Sequence, residues 1–126
     1  LGQTDMPYRL ARKILGRKKI IGVTVHNLKE ALQAEREGAD YIGVAPIFRT
    51  STKKDTLSPV GVSLIKEIKR HIDIPIVAIG GITLDNAGEV IAAGASGICA
   101  ISAVIPKREV GSEIKKFQRI IQNAAP

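Results

Sequence analysis

The stretch Tyr41–Asp55, with the sequence YIGVAPIFRTSTKKD, changes abruptly from apolar to polar residues. Residues 41–45 have the length and composition of a buried strand, and Pro46, which has no N–H for a sheet ladder, marks its end. The loop that follows holds hydroxyls and positive charges before the first carboxylate at Asp55: Arg49, Thr50, Ser51, Thr52, Lys53 and Lys54. Such a loop after a strand is typical of a site for anionic oxygens, and a solvated polar loop is the alternative.

Short apolar runs alternate with helical patterns on both sides of this stretch. A leading helix is predicted to open at Met6-Pro7, with Thr4 or Asp5 as its cap, and to stop at Gly16. Asn27, followed three residues later by Glu30, predicts the start of a helix over 28–37. The strands are expected at 19–25, 41–45, 74–79 and 97–102, and the later helices at 58–72, from about 83 to 93, and around 114–121. Thr83 or Asp85 is expected to cap the helix from about 83 to 93.

Parallel strands with right-handed helical crossovers form either an open doubly wound sheet or part of an eight-stranded barrel. No G-x-G-x-x-G fingerprint follows the first strand, so part of a barrel is favoured. A full barrel seldom has fewer than about 200 residues, and this chain has 126. We therefore expect one domain, residues 1–126, with an α/β fold: a partial TIM (β/α)8 barrel of about four parallel strands with helices, lacking the N-terminal half.

A half-barrel leaves strand edges and an apolar inner face uncovered, which is an aggregation hazard. We expect it to be completed by the missing N-terminal half, a companion chain or self-association. The sequence shows neither a long apolar run nor a leader peptide, so we expect a cytoplasmic protein without a membrane partner. The single Cys99 excludes an internal disulfide and is expected to be a small core residue.

The formal net charge of +7 raises nucleic acid as a possible partner. Aromatic residues make up only 3% of the chain, so a platform for stacking bases is missing. The Lys and Arg residues are also expected to be scattered along the faces of the predicted helices rather than gathered in one tract. We therefore expect small phosphorylated substrates and no nucleic acid.

Six segments, taken in order, resemble thiamine-phosphate synthase. The double glycine Gly80-Gly81 is by itself a weak signal, but six motifs at compatible spacing are specific. The resemblance covers essentially the whole chain and corresponds to the carboxyl-terminal half of that family. The segments are LGQTD at 1–5, GVTVH at 22–26, GADY at 38–41, PIFRTSTKKD at 46–55, AIGGI at 78–82 and AIS at 100–102.

The family joins a hydroxymethylpyrimidine diphosphate to a thiazole phosphate and releases pyrophosphate with the help of Mg²⁺. The resemblance implies that Asp5 is one of two carboxylates that hold Mg²⁺. It also implies that Lys53 and Thr24 are catalytic and face the pyrimidine diphosphate. Negative charge grows on the departing pyrophosphate, so a lysine and Mg²⁺ stabilise the transition state.

The same resemblance implies a second group of residues for the phosphates. The hydroxyls of Thr50, Ser51 and Thr52 would line the region of the thiazole phosphate and the pyrophosphate. Backbone N–H groups would hold the thiazole phosphate, because glycine allows close approach and successive N–H groups bind anions. These N–H groups belong to Gly81, Ile101 and Ser102.

Departures from the family and other interpretations remain open. Thr24 stands where the family usually has serine, Arg49 replaces a proline, and the second metal carboxylate lies outside this chain. Asp5 is alternatively a helix cap, and Gly80-Gly81 a turn without a ligand. The rival functions are a thiazole tautomerase, with His26 as the acid/base group, and a non-catalytic half-barrel that binds a phosphorylated ligand or a partner chain.

Overall fold

A computed structural model of the chain describes residues 1–51 and 58–125. The strands form one parallel sheet in the order β1-β2-β3-β4: β1 (Gly22–Val25), β2 (Tyr41–Val44), β3 (Ile76–Ile79) and β4 (Gly97–Cys99). The helices are α1 (Tyr8–Leu15), α2 (Leu28–Glu37), α3 (Gly61–Lys69), α4 (Ala87–Ala92) and α5 (Val110–Ala124). The predicted leading helix and four strand–helix units are confirmed.

The order of the strands in the sheet follows their order in the chain. Each right-handed crossover then places its helix on the same face of the sheet, whereas a doubly wound sheet would reverse direction and use both faces. The side chains on the helix face, such as Val25, Ile42 and Ile76, are fully buried. The expected α/β partial barrel of four parallel strands is confirmed.

The opposite face of the sheet has no helix over it among the residues described. Tyr41 is 37% exposed there, and its ring lies where a side chain on Gly22 would be. Cys99 pairs in register with Ile79 and is exposed, so its prediction as a core residue is wrong. Side chains alternate between the two faces of a strand, and this alternation puts Cys99 on the uncovered face. A continuous apolar run in the sequence does not show which of its side chains lie on that face.

Strands β1, β3 and β4 are shorter than predicted. Carboxylates explain two of the late starts, because they bind backbone N–H groups that a strand neighbour would otherwise take. Ile21 N donates to the Asp40 carboxylate at 2.7 Å, and Ile74 N donates to the Glu35 carboxylate at 3.3 Å. Ile20, Ile21 and Ile74 therefore precede their strands in irregular backbone.

The predicted caps are confirmed in only one of three helices. Asn27 Oδ1 accepts from Glu30 N at 2.9 Å, as the sequence pattern indicated. Pro7 holds the cap position of α1 without a side-chain hydrogen bond, so the cap by Thr4 or Asp5 is wrong. The cap of α4 by Thr83 or Asp85 is wrong as well, because Asn86 holds that position.

A cluster of polar groups ties α1 to the amino-terminal edge of the sheet. Arg12 Nη2 donates to Asp40 Oδ2 at 2.6 Å, and Arg12 Nε donates to Tyr8 Oη at 3.0 Å. Tyr8 Oη in turn donates to the carbonyl of Gly38. The hydrogen bond from Ile21 N and the one from Arg12 lower the pKa of Asp40 below its ordinary value.

The lowered pKa gives this cluster a pH-dependent contribution to stability. The folded state binds the Asp40 proton less tightly than the unfolded state, so the contribution is present above the ordinary pKa near ~3.9 and is lost as the pH falls through the folded value. We expect Asp40→Asn to lower the urea midpoint at pH 7 and to flatten its fall between pH 5 and 3. Asp73→Asn, at an exposed position, is the control. An unchanged slope in Asp40→Asn would contradict the assignment.

None of the helices in the described parts of the chain combines the length and the apolar character needed to cross a bilayer.

Candidate active site

All four strands end at one edge of the sheet, and the segments that follow them meet there. Leu1 pairs in parallel with β1 along the free side of that strand. Its amino group donates to Gly22 O at 2.7 Å, and Thr24 N donates to Leu1 O at 2.8 Å. Gln3 Nε2 then donates to Thr24 O at 2.7 Å. These bonds bring Asp5 and Thr24 to the same carboxyl edge.

Thr24 and Asp5 differ in how they are held. The side chain of Thr24 is on the uncovered face, with Oγ1 3.8 Å from where Gly43 would carry a Cβ. Asp5 is exposed, and its Oδ2 accepts from Gly2 N at 2.6 Å. No group of three or more metal-binding side chains occurs within residues 1–51 and 58–125. An exposed carboxylate fits one ligand of a Mg²⁺ ion whose other ligands are phosphate oxygens and water.

A short strap, residues 46–49, crosses from the end of β2 to the end of β3. Ile47 N donates to Ile79 O at 2.9 Å, and Phe48 N donates to Gly80 O at 3.1 Å. The residue before α3 also holds the strap, because Val60 N donates to Pro46 O at 2.8 Å. The loop that carries the hydroxyls and cations therefore starts from a backbone segment that is fixed beside Gly80.

The double glycine has a steric reason within the chain itself. Gly81 has φ +63°, and a Cβ there would lie 2.5 Å from Arg49 O and 2.8 Å from Phe48 Cβ. A Cβ on Gly80 would lie 2.9 Å from Pro46. The pair therefore lets the strap pack on the turn, which supports the interpretation as a turn and leaves phosphate binding by Gly81 N–H a prediction.

Asn86 locks the turn that contains Gly81, and the sequence analysis missed it. Its Nδ2 donates to Gly81 O at 3.0 Å, while its Oδ1 accepts from Thr83 N at 2.8 Å. One side chain thus fixes both ends of the turn. An Asn three residues after a Thr that follows a double glycine was the available signal.

The predicted residues after β4 lie in a helical turn. The carbonyl of Ile101 accepts from Val104 N at 3.0 Å and from Ile105 N at 2.8 Å. The N–H group of Ser102 is therefore at the start of this turn, next to the end of β3 that carries Gly81. The side chains of Ile101 and Ser102 are exposed.

The loop after β2 can be followed only in part. Thr50 is half-buried and Ser51 is exposed. Thr52 and Lys53 lie outside the described residues. The structure thus brings Asp5, Thr24, Gly81 and Ser102 to one edge together with the first part of the hydroxyl loop.

His26 follows β1 at the same edge and is held by a carboxylate. Glu30 Oε2 lies 3.0 Å from His26 Nδ1 and accepts from His26 N at 2.7 Å. Because Asn27 caps the same helix turn, this arrangement supports the interpretation of His26 as a satisfied loop histidine. An acid/base role for His26 would have to use Nε2.

A groove of about 220 Å³ lies on the helix side of the sheet, between the first eight residues and α2. Val23 forms part of its floor, and Gln33 lies on its α2 wall. Of the predicted site residues, Asp5 reaches it, whereas Thr24, Gly81 and Ser102 do not. Among the described site residues, the groove therefore shares only Asp5 with the carboxyl edge.

The model of the family described as thiamine monophosphate synthase matches residues 1–104. The chain belongs to this family. A thiamine-phosphate synthase from Shouchella clausii is 54% identical over 125 residues, which are 99% of this chain and 60% of that protein. One from Chloroflexus aurantiacus is 49% identical over 121 residues, which are 96% of this chain and 56% of that protein.

The fold agrees with a solved member of the family. The thiamine phosphate pyrophosphorylase from Pyrococcus furiosus superimposes with a TM-score of 0.89 at 38% identity, over all of this chain and 59% of that one. The chain thus spans less than two thirds of the length of these relatives. The family match covers α1 to the turn after β4 and stops before α5.

The steric account of the double glycine predicts an unequal response to two alanine substitutions. Gly81→Ala places a Cβ 2.5 Å from Arg49 O at φ +63°, and the backbone conformation alone should cost roughly 1–3 kcal/mol of unfolding free energy. Gly111→Ala, in helix α5, meets no atom within 4 Å and should raise stability by about 0.5–1 kcal/mol. Urea denaturation measures both. Equal effects would show that the strap does not require the glycine.

Proposed function

We propose that this chain forms the phosphate-binding part of a thiamine-phosphate synthase, a transferase that couples hydroxymethylpyrimidine diphosphate with thiazole phosphate and releases pyrophosphate. Identities near 50% with thiamine-phosphate synthases over almost the whole chain support it. The observation that carries it is the anchoring of the hydroxyl loop on the Gly80-Gly81 turn, beside the turn that begins at Ile101. Three segments suited to anionic oxygens therefore share one edge.

The chemistry of the reaction gives each residue a distinct task. The bond between the pyrimidine methylene carbon and the diphosphate oxygen breaks, and its electron pair leaves with the pyrophosphate. The lone pair of the thiazole ring nitrogen then forms the new bond to the methylene carbon. Lys53 would neutralise charge on the leaving oxygens, and the hydroxyl of Thr24 would donate to the pyrimidine diphosphate. Mg²⁺, held in part by Asp5, would supply further positive charge when bound.

The thiazole phosphate would be held mainly by the backbone. N–H groups of Gly81, Ile101 and Ser102 would donate to its oxygens, since the turns after β3 and β4 are adjacent. The hydroxyls of Thr50, Ser51 and Thr52 would complete the donor set. Asn86 would act as a positioning residue, because it fixes the carbonyl of Gly81 and so holds the peptide next to the one that carries the Gly81 N–H.

The coupling reaction would need more than these residues. The chain spans 56% to 60% of the lengths of the relatives described above, and one face of its sheet is without a covering layer in the described residues. We infer that the missing N-terminal half or a companion chain covers that face and adds the second metal carboxylate. Small phosphorylated molecules, rather than nucleic acid or a membrane, would be the ligands of the carboxyl edge.

Isothermal titration with pyrophosphate tests the proposal. We expect binding that requires Mg²⁺ and that Lys53→Ala weakens at least ~10-fold, about 1.4 kcal/mol. Lys66→Ala, at an exposed position on α3, is the matched control and should bind like the wild type.

The other outcomes of this titration distinguish the rival functions. Binding of thiazole phosphate that is indifferent to Mg²⁺ and to Lys53 would favour the tautomerase and its His26. Failure of the chain, folded by circular dichroism, to bind either ligand would favour a non-catalytic half-barrel.

A further inference from the structure

Arg49 is the last residue of the strap that crosses from the end of β2 to the end of β3. These are the two inner strands in the order β1-β2-β3-β4, so each of them is paired on both sides with a strand of this chain. Gly61 N donates to Ile47 O at 3.0 Å and ties the strap to the start of α3 as well. The backbone at Arg49 is therefore positioned by contacts within the chain.

The backbone of Arg49 packs directly on the turn of the double glycine. A Cβ on Gly81 would lie 2.5 Å from Arg49 O, so the two residues meet only because Gly81 has no side chain. Neither Gly81 N nor Arg49 N donates to another group within residues 1–51 and 58–125. A ligand at this turn would therefore find two N–H donors that no described acceptor occupies.

The side chain of Arg49 adds a positive charge at this turn. It is exposed, and the parts of the chain that the structure describes give it neither an ion pair nor a hydrogen bond. Arg12, by contrast, donates to Asp40 at 2.6 Å. Asp85, in the turn that follows Gly81, is exposed and forms no ion pair with Arg49. The charge of Arg49 is thus not neutralised by a described carboxylate.

Backbone N–H groups and a guanidinium bind a phosphate in complementary ways. N–H groups supply only partial charges, whereas a phosphate monoester carries about −1.5 to −2 charges at neutral pH. A guanidinium supplies a full charge, and its planar set of N–H donors fits two phosphate oxygens at once. A phosphate monoester at the Gly81 turn would therefore bind more tightly with the guanidinium of Arg49 beside the backbone donors.

We propose that the guanidinium of Arg49 binds the phosphate group of the thiazole phosphate and makes the site select the phosphorylated thiazole over the corresponding alcohol. This rests on the proposed function for the identity of the ligand, and it adds a residue that determines specificity. Lys53 would serve the departing pyrophosphate, and Arg49 the phosphate beside Gly81. Because that phosphate takes no part in bond making or breaking, Arg49 would govern affinity rather than the coupling step.

Isothermal titration of the full chain, with Mg²⁺ present throughout, tests the role of Arg49. We expect Arg49→Gln to weaken binding of thiazole phosphate at least ~10-fold, since it removes hydrogen bonds between charged groups, and to leave binding of the thiazole alcohol unchanged. Arg49→Lys keeps the charge but loses the planar donor set, so it should recover only part of the affinity. Arg70→Gln, the same change at an exposed arginine at the carboxyl end of α3, is the matched control and should bind like the wild type.

The side-chain NMR signal of Arg49 gives a readout that a purely structural role would not move. We expect the ¹H–¹⁵N signal of its Nε–H group to shift on addition of thiazole phosphate with the same Kd as the amide of Gly81, and to stay unchanged on addition of the alcohol. Arg49→Gln should keep pyrophosphate binding and its dependence on Lys53. Circular dichroism and the urea midpoint check that the variant is folded.

Two sets of results separate an error in the role of Arg49 from an error in the proposed function. If Arg49→Gln binds thiazole phosphate as tightly as the wild type, while pyrophosphate still binds through Mg²⁺ and Lys53, only the role of Arg49 is wrong. A larger loss for pyrophosphate than for thiazole phosphate would assign Arg49 to the leaving group, and an equal loss in Asp85→Asn would assign it to an ion pair; each contradicts the inference. If the folded wild type binds neither ligand, the proposed function is wrong as well.

Discussion

The handedness of the crossovers is the constraint on which the rest of the structure depends. Because each strand is added on the same side of the previous one, every right-handed connection puts its helix on the same face. One face of the sheet is then a dense apolar core, and the other has no helix among the residues described. The same geometry sends all four strand ends to one edge. The separation of a packed face, an uncovered face and a carboxyl edge, at which we propose the ligands bind, follows from this single choice of topology.

The carboxyl edge is built mostly from backbone, and this explains its residue types. The strap after β2 lies so close to the turn after β3 that a side chain on Gly81 would overlap Arg49 O. Glycine is therefore needed for packing before any ligand is considered. Phosphate binding, if it occurs as proposed, would favour glycine at the same position, because glycine lets a ligand approach the backbone closely. This is why the double glycine alone is a weak functional signal, while its place beside the hydroxyl loop is informative.

The element order could be predicted because it depends on local signals: β-branched runs, helix-stopping glycines and the Asn27 cap. Features that depend on distant contacts could not be predicted. The late start of β1 follows from the Asp40 carboxylate, which lies 19 residues from Ile21 in the chain. The exposure of Cys99 follows from strand parity, and the role of Asn86 follows from the shape of a turn. Among the site residues, Asp5, Thr24, Gly81 and Ser102 lie at the carboxyl edge, whereas the role of every site residue and the binding of Mg²⁺ stay predictions.

The central claim is that groups from three successive loops form one anion site at the carboxyl edge. The most direct test is a ¹H–¹⁵N NMR titration of the full chain with thiazole phosphate, following the amide signals individually. The account predicts that the amides of Ser51, Gly81 and Ser102 shift together with one Kd, while Gly16 and Gly38 at the opposite edge do not shift. Shifts at the opposite edge, or unrelated Kd values for the three amides, would contradict it.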